Sequence, residues 1–202
     1  IKAWCQRTGN TLLGVEKAER AFVAYIMKGT KTGAADSCCA APAAELPQGK
    51  SIIVFDGELD KAIASFIIAN GAAAMGRPVT MFFTFWGLNI LRKDSPPKVN
   101  KTFMEKMFGM MMPRGSKRLQ LSNMNMFGMG PSMIRGVMKK KNVSSLEELI
   151  KQAQEAGVKL VACSMSMDVM GIKEEELIEG VEIGGVAAYL GEAEQSNVNL
   201  FI

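Results

Sequence analysis

Three short apolar runs, SIIVF at 51–55, VTMFFTF at 79–85 and VKLVAC at 158–163, constrain what this chain can fold into. A strand with one wet face alternates apolar and polar residues. These runs are nearly continuous, so each reads as a strand buried on both sides, the kind a parallel sheet requires. Helical segments separate them. Leu59, Ala62, Ile63, Phe66 and Ile67 recur at helical spacing until Gly76 and Pro78. Ser144 and Glu147 form a capping-box pattern before a helix whose core face is Leu146, Leu149, Ile150 and Ala153, closed by Gly157. A helix from about Gly185 to Ala193 and a strand, VNLFI, finish the chain. Strands alternating with helices predict an α/β domain over residues 51–202, with a mostly parallel sheet covered on both faces.

The rest of the chain is organised differently. IKAWCQRTGN reads as a helix end stopped near Gly9–Asn10, and TLLGVEK with RAFVAYIMKG reads as a two-stranded hairpin. Residues 1–29 thus form a small α+β fragment that cannot bury a core alone. With Ile1 and not methionine in first place, the sequence reads as a piece of a longer gene product or a processed chain. Residues 30–50 are rich in Ala, Pro and Gly without periodicity, as a linker would be. Residues 103–138 hold ten of the sixteen methionines and read as a Met-rich helical insertion, with RGSKR and MKKK beside them.

Composition narrows the chemistry. The chain has no histidine, so a Ser–His or Cys–His pair, a histidine-bound zinc and an imidazole proton shuttle are all excluded. The net charge of +4 is too slight to imply nucleic acid. The longest apolar run, Met81 to Leu91, is too short to span a bilayer, and no signal peptide is visible, so a soluble cytoplasmic protein is expected. Cys5, Cys38, Cys39 and Cys163 lack the spacing of a disulfide scaffold and are expected to be reduced.

Ligands of open parallel sheets bind outside the carboxyl ends of the strands. FDGE with Gly57, FWGL with Phe85 and Trp86, and Cys163 all fall there. Ser164 or Ser166 is placed to cap a short following helix, SMDVMGI. A thiol at such a junction faces backbone N–H groups and a helix dipole, which lower its pKa from about 8.5 and favour the thiolate. The other reading is a small buried hydrophobe that ends a core strand. Asp56 and Glu58 are candidates to tune the site, although carboxylates would raise a thiol pKa. Phe85 and Trp86 read either as core packing or as an apolar wall over the sulfur. Cys38 and Cys39, adjacent on the linker, read first as an inert solvated segment and second as auxiliary thiols. For the Met-rich stretch, Phe103, Met104, Met107, Phe108 and Met111 follow helical spacing, which favours a lid or a subunit interface over a Cu(I) site. Its lysines would suit an acidic partner or a membrane surface. QGKS lacks the first glycine of a phosphate loop and precedes a strand, and GMG at 128–130 lacks the third glycine of a dinucleotide fingerprint. No metal site is assigned.

FDGELDKAIASFIIANGAAAMGRPVTMFFTFWGLNILRK, SNMNMFGMGPSMI, GVKLVACSMSMDVMGI and GGVAAYLGEAEQSNVNLFI together resemble the DsrE/DsrF/DsrH-like family, in its larger Met-rich branch. The resemblance covers about residues 50–202. It implies a three-layer α/β/α fold and a sulfurtransferase or sulfur-relay role, with Cys163 at the position of the family's sulfur-carrying cysteine. It further implies a covalent persulfide and no separate cofactor. IKAWCQRTGNTLLGVEKAERAFVAYIMKG is similar to the second half of a TusA/SirA-like sulfur-carrier domain, without that family's Cys-Pro-x-Pro motif. The partners so implied are sulfur donors and acceptors such as TusA-like or rhodanese-like domains. The exposed Met-rich face and the incomplete first unit add an expected homo-oligomer. Two other functions fit the same residues. One is a non-catalytic module that assembles sulfur or redox enzymes through the Met-rich surface. The other is a thiol redox, peroxiredoxin-like role.

Overall fold

A computed structural model describes residues 11–18, 21–27 and 47–202, and the chain divides into two units, Ile1–Ala44 and Glu45–Ile202. In the first unit β1 (Thr11–Ala18) pairs antiparallel with β2 (Ala21–Met27), with a register shift between Leu12 and Gly14. The expected hairpin is present. The helix end expected over residues 1–10, Cys5, and the linker with Cys38 and Cys39 lie outside the described residues.

The second unit runs β3 (Gly49–Val54), α1 (Leu59–Ala74), β4 (Val79–Phe83), a 3-10 segment (Phe85–Leu91), α2 (Phe103–Met111), α3 (Met129–Lys140), α4 (Leu146–Glu155), β5 (Lys159–Cys163), α5 (Ser164–Met170), β6 (Val181–Gly184), α6 (Val186–Glu194) and β7 (Ser196–Phe201). Its sheet has the order β6-β5-β4-β3-β7, and every pair is parallel. The α/β reading holds. The sequence reading lacked β6, which is only four residues long and half wet.

Side chains alternate across a strand, and the two faces are covered unequally. Ile52, Val54, Met81, Phe83, Leu160 and Ala162 join the main core with Leu59, Ala62, Phe66 and Ala69 of α1 and Leu146, Leu149, Ile150 and Ala153 of α4. On the other face Phe82, Val161 and Cys163 pack with Tyr189, the one buried residue of α6. The Tyr189 ring lies 5.0 Å from that of Phe82, and its hydroxyl shares a 3.1 Å hydrogen bond with that of Ser51.

Local signals are shifted at two helix starts. The α4 capping box is Ser145 with Glu148, not Ser144 with Glu147: Ser145 Oγ accepts from the Glu148 N–H, and Glu148 accepts from the Ser145 N–H at 2.7 Å. Glu147 turns instead to Ser116 Oγ (2.7 Å) and Arg135 (3.3 Å). At α5 neither Ser164 nor Ser166 is the cap. Cys163 itself is the N-cap residue, and no side chain supplies a capping hydrogen bond. Ser166 is buried one turn in, its hydroxyl 2.7 Å from that of Thr84.

The Met-rich insertion contains two helices, α2 and α3, and α2 buries no residue. Phe103, Met104, Met107, Phe108 and Met111 are exposed, so among the described residues the helical face they form is left largely uncovered. Polar chemistry holds α2 in place. Thr102 and Glu105 make its capping box, and Glu105 pairs with Lys173 at 3.0 Å. Lys101 just before the helix and Arg114 just after it both reach Glu176, which is fully buried. Arg92 joins them at 3.1 Å, Arg114 stands at 2.7 Å, and the Lys173 N–H donates to the same carboxylate at 3.1 Å.

Burial alone would push the Glu176 carboxyl up. Hydrogen bonds from Lys101, the Lys173 N–H and Arg114 outweigh it and hold the group at about 2, against an ordinary 4.5. The stability this lends is complete above pH 4.5 and drains away as pH falls toward 2. Glu176→Gln leaves three cations without their carboxylate and is expected to cost about 3–5 kcal/mol at neutral pH. Urea unfolding from pH 7 to pH 2 checks this. The variant's acid slope should be shallower, with the remainder owed to the other carboxyls held low, Asp60, Glu147 and Glu105, the last kept at about 2 by its capping bond to the Thr102 N–H and its Lys173 partner.

Candidate functional site

The described residues among those predicted from sequence sit at the carboxyl edge of the sheet, but not in one pocket. The loop after β4 folds tightly back on the end of β3. A Cβ on Gly87 would lie 2.1 Å from the Val54 carbonyl oxygen, and one on Gly57 would lie 2.6 Å from that of Trp86. Neither position has room for a side chain. Phe85, between them, takes a φ of 45°, a left-handed conformation that is rare for a bulky residue and occurs where the surrounding structure enforces it. Its ring packs 5.4 Å from Phe55, which in turn stacks 5.7 Å from Phe201.

This fold-back opens a cavity of about 290 Å³ lined by Gly57, Trp86, Asp56, Glu58 and Asn89. Trp86 is 51% exposed, so it forms a rim and is not core. Lys61 pairs with Glu58 at 2.9 Å and also with Asp56, which offsets one of the two negative charges beside it. Those two hydrogen bonds push the Lys61 ammonium pKa upward.

Cys163 stands two strands from β3 and does not line that cavity. The alternation that sends Leu160 and Ala162 to the main core sends Val161 and Cys163 to the α6 face. Its register partner is Gly184, the last residue of β6, and Gly185 next to it is the N-cap of α6. The backbone of Cys163 therefore lies beside the starts of two helices, while its thiol is 1% exposed and packs in a cluster with Phe82, Val161 and Tyr189. Ser164, half-exposed, follows directly in α5, while Ser166 belongs to the main-core side through Thr84. Of the two sequence readings of Cys163, the placement seen here is that of the buried strand end: the sulfur stands at the strand–helix junction and is covered.

Sequence reasoning missed the cations around Glu176, because Arg92, Lys101, Arg114 and Glu176 lie far apart in the chain. Only the unusual charge within the apolar WGLNILRK stretch pointed there. Among the described residues no group of three or more metal-binding side chains comes together, and no helix is long and apolar enough to cross a membrane.

Comparison with known proteins places the chain in a family. The chain is 58% identical over 152 residues to the uncharacterized protein YrkE of Bacillus subtilis (strain 168), covering 75% of this chain and 95% of that one. It is 41% identical over 156 residues to the sulfur carrier protein DsrE2 of Allochromatium vinosum, covering 75% and 96%. Among solved structures, the ychN protein from E. coli aligns over 76% of this chain and 99% of that one, with a TM-score of 0.44 and 12% identity. The model of the DsrE/DsrF/DrsH-like family matches residues 48–201. With that span and those identities, the chain belongs to the DsrE/DsrF/DrsH-like family.

Proposed function

We propose that this protein is a sulfur-relay protein in which Cys163 carries sulfane sulfur as a persulfide. The observation that carries the reading is that Cys163 is the one cysteine within residues 48–201, the part that matches the family and a relative named as a sulfur carrier. The Cys163 thiolate attacks the terminal sulfur of a donor persulfide. A new S–S bond forms on Cys163, the donor's S–S bond breaks, and the donor leaves as a thiolate. Nothing is oxidised or reduced overall. Nucleophile and leaving group are both thiolates, so a chain without histidine can run the exchange.

Burial gives the carrier its second property. A persulfide under Phe82 and Tyr189 is shielded from bulk thiols, and transfer requires the cover to open. The cover is thin: α6 has nine residues, one of them buried, and follows the Gly184–Gly185 pair. Elements with so few buried contacts open locally at low free energy. Delivery of sulfur between protein thiols, including partners of the TusA-like or rhodanese-like kind, follows from the same exchange, and a cytoplasmic setting keeps the thiols reduced.

The uncovered apolar face of α2 favours a second reading, a module that assembles sulfur enzymes through its Met-rich surface. The two readings separate on one substitution. After incubation with a persulfide donor, intact mass spectrometry should show the protein gaining the mass of one sulfur, lost on treatment with dithiothreitol and absent from Cys163→Ser. Added sulfur that persists in Cys163→Ser removes the relay assignment. Loss of cellular function on deletion of residues 104–138, with Cys163→Ser unaffected, establishes the assembly module. The cover makes its own prediction: native Cys163 reacts with iodoacetamide at least tenfold more slowly than in the unfolded chain, and Tyr189→Ala closes most of that gap. An equal rate in folded and unfolded protein would contradict the buried placement.

A further inference from the structure

Glu176 leaves its surroundings electrically unbalanced. Arg92, Lys101 and Arg114 turn their cationic ends to this one carboxylate, with side chains only 0%, 8% and 14% exposed. One negative charge does not neutralise three positive ones, and surplus charge held away from water is costly unless something pairs with it. The donors are not all used. Arg92 Nε and Arg114 Nη1 are buried without a hydrogen-bond partner. Desolvation and the nearby Arg114 charge together push the Arg92 guanidinium pKa down, as expected of crowded like charges.

A cavity of about 430 Å³ opens beside these groups, with Lys101, Lys106, Arg114, Gly109, Glu105 and Glu176 among its walls. Both carboxylates already have partners. Glu176 holds the three cations, and Glu105 accepts the Thr102 N–H at 2.7 Å and pairs with Lys173. No described residue makes an ion pair with the Lys106 ammonium. On the helix side the wall is a glycine. A Cβ on Gly109 would stand 3.7 Å from Arg92 Nη2 and 3.8 Å from Lys101 Nζ, an open approach to both cations.

We infer that this cavity is an anion site for a small dianionic oxyanion of the phosphate, sulfate and thiosulfate class. Arg114 Nη1 and the Lys101 and Lys106 ammonium groups are its donors, and Arg92 adds its charge from behind. Guanidinium and ammonium groups held in place with free N–H bonds are the usual partners of such oxyanions. The site stands on charge and geometry around α2. It does not depend on Cys163, so its failure and that of the sulfur relay are read separately.

Calorimetric titration of the full chain at low ionic strength with sodium sulfate, phosphate or thiosulfate, against chloride of matched ionic strength, tests this. Saturable one-site binding of any of the three is expected. Lys106→Gln, on an exposed position of α2, and Arg114→Gln should each weaken it by about tenfold, the worth of one charge-assisted hydrogen bond. Lys117→Gln, whose ammonium pairs with Asp94 outside the cavity, should leave it unchanged. Gly109→Asp supplies a built-in carboxylate. It should abolish binding and raise Tm in the absence of added anion, which a merely structural cluster of cations would not couple. Absence of saturable binding above the chloride control overturns the site, as does wild-type affinity in both Lys106→Gln and Gly109→Asp.

Discussion

The carboxylate of Glu176 is the point from which the irregular half of this domain hangs. Residues 92–118 run over the carboxyl edge of the sheet and bury few apolar side chains of their own, chiefly Met112. Hydrophobic burial therefore cannot fix their path. The path is fixed because Arg92 precedes the excursion, Lys101 enters α2, Arg114 leaves it, and all three converge on one buried acceptor. Backbone pairing locks the acceptor in turn: the Lys93 N–H donates to Glu176 O at 2.7 Å and the Ile178 N–H to Leu91 O at 2.9 Å. A buried network of this kind adds little stability over an apolar replacement, but removing its central partner is severe. What it contributes is position. It holds a helix whose phenylalanine and methionine face is left largely exposed by the described residues.

The rest of the fold is held by ordinary apolar packing, and its inequality bears on function. One face of the sheet is sealed by α1 and α4, with side chains such as Phe66 and Leu146 at most 1% exposed. The other is covered by α6 through Tyr189. On that face Phe82, Val161 and Tyr189, with Ile53 and Ala193 beside them, keep Cys163 out of water. Glu192 of α6 also bonds Thr80 and Lys159 of the sheet. The same thiol on the α1 face would instead lie under two long helices. The strand alternation that chooses between these faces is thus a choice between a permanently inert sulfur and one that a local fluctuation can uncover.

The sequence made the buried strands and the long helices legible because their signals are redundant. SIIVF and VTMFFTF have no polar alternation, and α1 and α4 repeat their apolar residues over several turns. Where a signal was single it slipped. SSLEE offers two capping boxes one residue apart, and only the structure shows that Ser145 and Glu148 close the box while Glu147 reaches Arg135. VEIG is too short for a period to register, so β6 went unseen. Glu176 sits in a run of three glutamates and Arg92 in LRKD, and no local pattern links two residues whose pairing spans 84 positions. The junction position of Cys163 was readable from the end of an apolar run. Its cover was not, since that depends on α6 crossing back over the sheet to reach β7.

A persulfide relay built this way divides its control differently from a histidine-assisted thiol enzyme. In the latter the base sets how much nucleophile is present, and the pH of the medium reaches the rate through it. In the proposed relay, exchange between thiolates would need no base, and attack on Cys163 would wait on exposure of the sulfur. Its rate then follows the fraction of time α6 is open, so substitutions at Tyr189 and Ser51, which touch no substrate, should govern transfer through that fraction. The Ser51–Tyr189 bond joins β3 to α6 across the face on which Cys163 lies. A hydroxyl pair of that sort is weak enough, about 1 kcal/mol net, for a docking partner to displace without unfolding anything else.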